Sequence, residues 1–324
     1  MPPSAAPPSI DVFDTIRGSK AENKMPRVSI IIATHSRPQL LPRAVESALA
    51  AGSDVEVIVI DDASMDETAA VCRGLKGIKY LRVERNQRVA GARNIGLVAS
   101  QGEYISFLDD DDTRLPGSLD LQIELLAQNP DAVLVYGRAL YADHEGQVSG
   151  ELYPIECPQG DIFWQLLTQN FIPCGSAVFR RSAIVSLGLL DDTIPGLDDW
   201  DLWIRMAELY PVVAVEQPMV TWRRSNVRSA QGTSDAASIV SQSIRKFKMD
   251  WMKLPRVAAA SRDLKRATWR LFSENMLEHA LWQSARAVAS GKPLQPLKNL
   301  IVAQQLDPFA IVRIARHRLT QSSR

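Results

Sequence analysis

Tyr104–Pro116 reads YISFLDDDDTRLP, and it changes character halfway. Tyr104 to Leu108 are apolar and β-favouring, which predicts a short buried strand. The strand runs directly into four carboxylates, Asp109 to Asp112. Adjacent acids repel one another unless solvent or a cation neutralises them. At a strand end they offer hard oxygen ligands of the kind Mg²⁺ or Mn²⁺ takes, with phosphate oxygens completing the shell. An acidic turn ahead of a helix would give the same letters, because Asp favours turns and Pro116 suits a first helical turn. The rest of the chain decides between the two.

Working outward, Arg27–Ala33 (RVSIIIA) and Val55–Ile60 (VEVIVI) are predominantly apolar runs of the parallel-sheet kind. Each also ends in a polar cluster, Thr34–Arg37 after the first and Asp61–Ser64 after the second. Between them, Leu40, Leu41, Val45 and Leu49 form one face of a helix over residues 38–51, stopped by Gly52. Further helices are expected from Asp66 to Leu75 and from Gly91 to Ser100, with a third strand over Lys79–Val83. Alternating strands and helices with short connections predict a mostly parallel α/β sheet. In such sheets ligands bind beyond the carboxyl ends of the strands, so all three clusters can meet one ligand.

After Pro116 come a helix to residue 128, a strand over Ala132–Tyr136, an irregular stretch 137–160, a strand over Ser176–Arg180 and a helix over 182–188. GLDDWDLWIRMAELY, residues 196–210, gives a helix whose apolar face carries Trp200, Trp203, Ile204, Ala207 and Leu209. Asp198 and Asp199 stand at its start, where acids also serve as plain caps. Val212–Val215 and Met219–Trp222 read as two short strands, followed by Arg223, Arg224 and Arg228. From about Ser234 the pattern is helical throughout.

The order SIIIATHSR, VIVIDDAS, AGARNIGL, FLDDDD with a following Pro, and DDWDLWIR resembles the family 2 inverting glycosyltransferases of the GT-A fold, over roughly Val28–Arg224. The resemblance implies a GT-A α/β domain over residues 26–230, between a flexible leader (1–25) and a C-terminal all-α extension (231–324). It implies a nucleotide-diphosphate sugar donor, a UDP-sugar first among them, and a saccharide or lipid-linked acceptor. Ala33, Thr34 and the loop to Arg37 match the nucleotide-binding loop, and Asp62 the residue that recognises the base. Arg93 matches a further nucleotide contact. Of the acids, Asp111 and Asp109 match the metal site, for Mn²⁺ or Mg²⁺, and Asp110 the ribose contact. Asp199 matches the catalytic base, with Asp198 standing where the family usually has Glu. Some members carry a metal- and diphosphate-binding His near the end of the domain. Arg223, Arg224 and Arg228 occupy that region here, as possible diphosphate contacts.

Two other readings compete. Asp109, Asp111 and Thr113 also fit DxDxT, the signature of haloacid-dehalogenase-type phosphatases, but that signature belongs after the first core strand and here two strand–helix units precede it. A catalytically inactive sugar-nucleotide-binding protein would keep the fold without needing Asp111 and Asp199.

Composition bounds the partners. The formal net charge is zero, which argues against bulk nucleic-acid binding. The charge is uneven, however. From Trp251 onward 13 Lys and Arg face 4 Asp and Glu. Residues 308–319 form a basic amphipathic pattern that suits either peripheral contact with a membrane or a solvated helix face. Three cysteines without a CxxC pair suggest reduced thiols and a cytoplasmic setting. The Pro-rich MPPSAAPPSI has no apolar run of the secretory kind, and no stretch approaches the ~18 apolar residues of a membrane span.

Overall fold

The three apolar runs form the centre of one sheet. A computed structural model of the chain describes residues 10–14, 25–223, 236–289 and 306. Strand β2 (Val28–Thr34) lies between β3 (Val55–Asp62) and β5 (Tyr104–Asp109), parallel to both. Val28, Ile30, Ile31 and Ile32 are fully buried. At about 1.5–3 kcal/mol for each large aliphatic side chain taken out of water, this strand is a main source of the fold's stability.

Helices α1 (Leu41–Leu49) and α2 (Thr68–Gly74) connect β2 to β3 and β3 to β4 (Ile78–Val83). Helix α3 (Arg88–Ala99) then leads to β5. It lies tightly on the sheet at Gly96, where a Cβ would fall 2.3 Å from a methyl of Ile31. Beyond the acids follow β6 (Thr113–Arg114), α4 (Ser118–Gln128), β7 (Leu134–Ala142) and β8 (Val148–Tyr153). The remaining elements of this unit are β9 (Val178–Arg180), α6 (Arg181–Leu187), α7 (Asp198–Leu209) and β10 (Val212–Arg223). The label α5 belongs to Phe163–Leu166 in the second unit.

The sheet order is β1 (Ile10–Asp14), then β4-β3-β2-β5-β9-β7-β10-β6, with β8 on the side of β7. The fold is therefore α/β with a mixed sheet flanked by helices. Its β4-β3-β2-β5 half is parallel, and antiparallel pairs enter at β9, β8 and β6.

Three elements differ from the sequence expectation. Ile10–Asp14, placed in the leader, forms β1 and pairs antiparallel with β4. Residues 137–160, expected to be irregular, extend β7 and return as β8. The turn between them is closed by the Asp143 carboxylate, which accepts the N–H groups of Glu145 and Gln147, and by Gly146 at φ 84°. Strand β8 is mostly exposed, so it lacks the buried alternation that betrays a strand. The two strands expected around Gln217 are one strand, β10, kept continuous across Pro218 by register shifts.

The chain divides into two compact units, residues 1–161 with 171–226 and residues 162–170 with 227–324. The first holds the sheet. In the second, helices α8 (Ala236–Met249), α9 (Pro255–Ala259) and α10 (Arg262–Ala289) surround an aromatic core. There Phe247 lies 4.5 Å from Phe272 and 5.2 Å from Trp269, ring centre to ring centre. Among the described residues no helix is long and apolar enough to cross a membrane. The basic pattern at 308–319 lies outside the described residues, as do Arg224 and Arg228.

Candidate active site

Strand register brings the polar clusters together. Thr34 pairs with Asp61 on one side of β2, and Ala33 with Asp109 on the other. The loops beyond these positions therefore share one rim of the sheet.

On the β3 side the acids are supplied with donors. Asp61 is fully buried and accepts the Tyr80 hydroxyl at 2.6 Å and the Ser64 N–H at 2.9 Å, with the Arg82 Nε at 3.5 Å. Asp62 accepts the Gln87 N–H at 2.6 Å, and its carbonyl lies 2.6 Å from the His35 Nδ1. The Ser36 N–H donates to the Ser64 hydroxyl at 2.9 Å, tying the two loops together. Ser36 and Ala63 both hold positive φ, 54° and 60°, which non-glycine residues adopt only where surroundings enforce it. Burial raises the pKa of Asp62, opposed by the Gln87 N–H.

On the β5 side the acids divide. Asp110 turns toward β2, accepting the Thr34 hydroxyl at 2.7 Å and the Arg37 Nη1 at 2.7 Å. Arg37 also reaches Asp111 at 3.1 Å. Carboxylate oxygens of Asp109, Asp111 and Asp112 lie within 4.8 Å of one another. Burial, then the neighbouring Asp109 and Asp110, push Asp111 up to about 7. Burial with Asp109 and Asp111 raises Asp112 well above the carboxylate range. The sequence reading named Asp109 and Asp111 and passed over Asp112. Its place is fixed from β10, since it accepts the Arg223 N–H at 2.9 Å, a long-range contact with no local signal. The guanidinium of Arg223 meanwhile donates to the His144 carbonyl.

Beneath the acids runs a single turn, Cys174–Ser176. The buried Arg114 holds this region. It donates to Gln122 and to Ser106, each at 2.7 Å, while Gln122 donates to the Ser176 carbonyl and Ser106 to the Ala177 carbonyl. Burial lowers the Arg114 pKa to about 9. Burial also raises the Cys174 thiol well above its usual range despite Arg93 nearby.

Helix α7 supplies the remaining acids. Trp203 is fully buried and packs edge-on against Phe179, which packs on Phe107. This anchors the helix and leaves its first residues at the rim. Asp198 is buried and accepts the Arg93 Nη1 at 2.8 Å. Asp199 is half-buried and accepts the Trp200 N–H at 2.6 Å. Burial, then Asp198, raise Asp199 to about 7, opposed by Arg93. Burial and the like charge outweigh the opposing Arg93.

Trp164 and Phe171 lie in different units. Trp164 packs on Phe163, and Phe171 on Tyr136.

The comparisons with known proteins agree with this geometry. The family model described as Glycosyl transferase family 2 matches residues 29–187. The succinoglycan biosynthesis protein ExoO of Rhizobium meliloti (strain 1021) is 35 % identical over 140 residues, 40 % of each chain. An uncharacterized glycosyltransferase of Rickettsia typhi is 30 % identical over 228 residues, 67 % of this chain and 69 % of that protein. The shared stretch spans only 34 % to 42 % of the length of four of the curated relatives. Among solved structures, S. aureus TarS 1–349 in complex with UDP-GlcNAc superposes with a TM-score of 0.59 at 11 % identity, over 87 % of this chain and 91 % of that one. The mannosyltransferase PcManGT from Pyrobaculum calidifontis, in complex with GDP-Man and Mn²⁺, gives 0.55 at 18 %, over 90 % and 87 %. These two likenesses concern the fold. A relative 30 % identical across two thirds of its own length, together with a family model lying on the strands that carry the acids, shows that the chain belongs to the family 2 glycosyltransferases.

Proposed function

We propose that the protein moves a sugar from a nucleoside-diphosphate donor, a UDP-sugar first among them, to an acceptor hydroxyl with inversion at the anomeric carbon. The observation that carries this reading is the arrangement of two acidic sets joined through one buried arginine. Asp109, Asp111 and Asp112 gather at the end of β5, Asp199 stands at the start of α7, and Arg93 links Asp109 to Asp198 beside it. Family membership leaves the DxDxT phosphatase reading without support.

The three carboxylates fit a hard divalent cation. Their donor atoms are all oxygens, they lie close together, and Asp111 and Asp112 carry raised pKa values that a cation would reverse. Asp109, Asp111 and Asp112 would hold Mn²⁺ or Mg²⁺, which when bound supplies charge neutralisation at the departing diphosphate. Solved relatives of the fold contain GDP-Man with Mn²⁺ and UDP-GlcNAc, in keeping with such a site.

The remaining roles fall to this chain's own residues. Asp62 accepts an N–H from the base edge, and uracil N3–H is a suitable donor. The Ala33–Arg37 loop and Asp110 bind the ribose and phosphates. Arg223, with Arg224 and Arg228 from the sequence, is assigned to the diphosphate. Asp199 takes the proton of the acceptor hydroxyl as it attacks the anomeric carbon from the face opposite the diphosphate. A saccharide acceptor in cell-surface polysaccharide assembly, or a lipid-linked one, suits the similarity to a succinoglycan biosynthesis protein. The basic C-terminal stretch would then hold the enzyme peripherally at the cytoplasmic face of a membrane, each Lys or Arg near an anionic surface contributing about 1 kcal/mol.

The test is release of nucleoside diphosphate from a panel of UDP-, GDP- and dTDP-sugars, with Mn²⁺ and with EDTA. Turnover of one donor that stops with EDTA is expected. Binding of donors without any turnover would favour the inactive binding protein instead.

A further inference from the structure

Arg93 matches a nucleotide contact by resemblance, yet its surroundings assign it other work. It is 5 % exposed. One terminal nitrogen donates to Asp109 at 2.7 Å and the other to Asp198 at 2.8 Å. The guanidinium carbon lies 5.2 Å from the centre of the Phe107 ring, which packs on Phe179 of β9, and Phe179 in turn meets Trp203 of helix α7. Helix α3, which carries Arg93, is itself pressed onto β2 at Gly96. The guanidinium is thus fixed, and its two terminal nitrogens are committed to two carboxylates 89 residues apart in the chain.

We propose that Arg93 is a positioning residue that clamps the first turn of α7 to the end of β5, setting the place of Asp199 relative to the acids of that strand. The proposal rests on the glycosyltransferase reading above. The physical case is the fork geometry of guanidinium. Two rigid, charge-assisted N–H···O bonds leave in fixed directions, so the two carboxylates cannot shift independently. Asp198 then has a defined purpose. It is the handle by which α7 is held, and its neighbour Asp199 is free to face the acceptor. The clamp also explains why the sequence carries two adjacent acids at this helix start when one suffices as a cap.

A lysine keeps the charge but has no fork, so Arg93→Lys separates clamp from charge. Three readouts apply to wild type, Arg93→Lys, Arg93→Gln and Asp198→Asn. The first is amide hydrogen exchange over residues 198–203 without ligand, expected about 10-fold faster in each variant because the first turn opens locally. The second is calorimetric affinity for UDP with Mn²⁺, expected within about threefold of wild type, since no base or phosphate contact is removed. The third is turnover at saturating donor, using the nucleotide sugar wild type releases fastest, expected to fall about 100-fold, the usual penalty of a misplaced catalytic group. UDP affinity falling in step with turnover would return Arg93 to the nucleotide and overturn the clamp. Wild-type exchange and turnover in Arg93→Lys would overturn it equally. If Arg93→Gln loses cooperative melting, the other two variants decide. If wild type binds neither UDP nor GDP, the donor reading fails while the exchange measurement still judges the clamp.

Discussion

The acids at the end of β3 and those at the end of β5 lie on parallel strands that flank β2 in one sheet, and they live in opposite conditions. Asp61 and Asp62 are surrounded by donors, including a tyrosine hydroxyl, backbone N–H groups and an arginine. Asp109, Asp111 and Asp112 crowd one another within 4.8 Å, with Arg93, Arg37 and the Arg223 N–H as their donors and Asp199 close by. A carboxylate with its donors in place is a finished part, fit to present a fixed surface to a base. A crowd of carboxylates with too few donors is unfinished until charge arrives, as a cation at β5 or as a proton leaving the acceptor at α7. The first arrangement suits recognition and the second suits chemistry.

The sharpest way to break this division is Asp199→Asn. It keeps shape and most hydrogen bonding but removes basicity. Turnover to acceptor is expected to fall on the order of 10²–10⁴-fold, with UDP affinity nearly unchanged. In wild type the rate should rise with pH through a limb near 7, because burial and Asp198 hold Asp199 there. A variant that loses donor binding as much as turnover would move Asp199 to the recognition side.

Next in size is Asp111→Ala. Mn²⁺-dependent UDP affinity should fall on the order of 100-fold, at the upper end of what lost metal-site partners cost. Equal UDP affinity in Mn²⁺ and in EDTA would remove the metal from the reading. The same crowding has a sign in stability. Asp110, Asp111, Asp112 and Asp199 all have raised folded-state pKa values. The folded chain therefore holds protons that the unfolded chain has released. That stability is fully present below the ordinary carboxylate value of 3.8 and is lost as pH rises through about 7 for Asp111 and Asp199. In EDTA, Tm at pH 8 should lie below that at pH 5, by on the order of 5 °C, and Mn²⁺ should restore part of the difference. A Tm that rises with pH in EDTA would mean the acids are better supplied with donors than the geometry shows.

How much of this the chain states openly depends on range. The parallel strands, the three polar strand ends and the α7 start are written in local runs such as SIIIAT, VIVIDD and FLDDDD, because burial on both faces demands unbroken apolar sequence. The mixed half, with both parallel and antiparallel pairs, is less open. Strand β8 is mostly exposed and β10 passes through Pro218, so neither shows a clean period. The site divides the same way. Asp109, Asp111 and Asp199 are visible as clusters, but the role of Asp112 depends on Arg223, 111 residues away, and that of Arg93 on Asp198, 105 residues away. Such partners are chosen by topology, which no local pattern records.

The smallest expected effect tests the recognition side alone. Tyr80 is buried in the core beneath the sheet, and only its hydroxyl meets the polar rim, donating to Asp61 at 2.6 Å. Tyr80→Phe preserves the ring and removes that donor. Asp61 keeps the Ser64 N–H and the more distant Arg82, so the loop is weakened without being dismantled. A hydrogen bond to a charged group contributes about 1.5–3 kcal/mol to stability, and the part of that loss felt by the ligand should be smaller, so UDP affinity is expected to drop about 3- to 10-fold. Turnover at saturating donor should stay near wild type, because nothing at β5 or α7 has changed. The KM for donor therefore carries the effect and kcat does not. If Tyr80→Phe instead lowers kcat with KM unmoved, the β3 acids take part in the chemistry, and the division between the two strand ends is drawn in the wrong place.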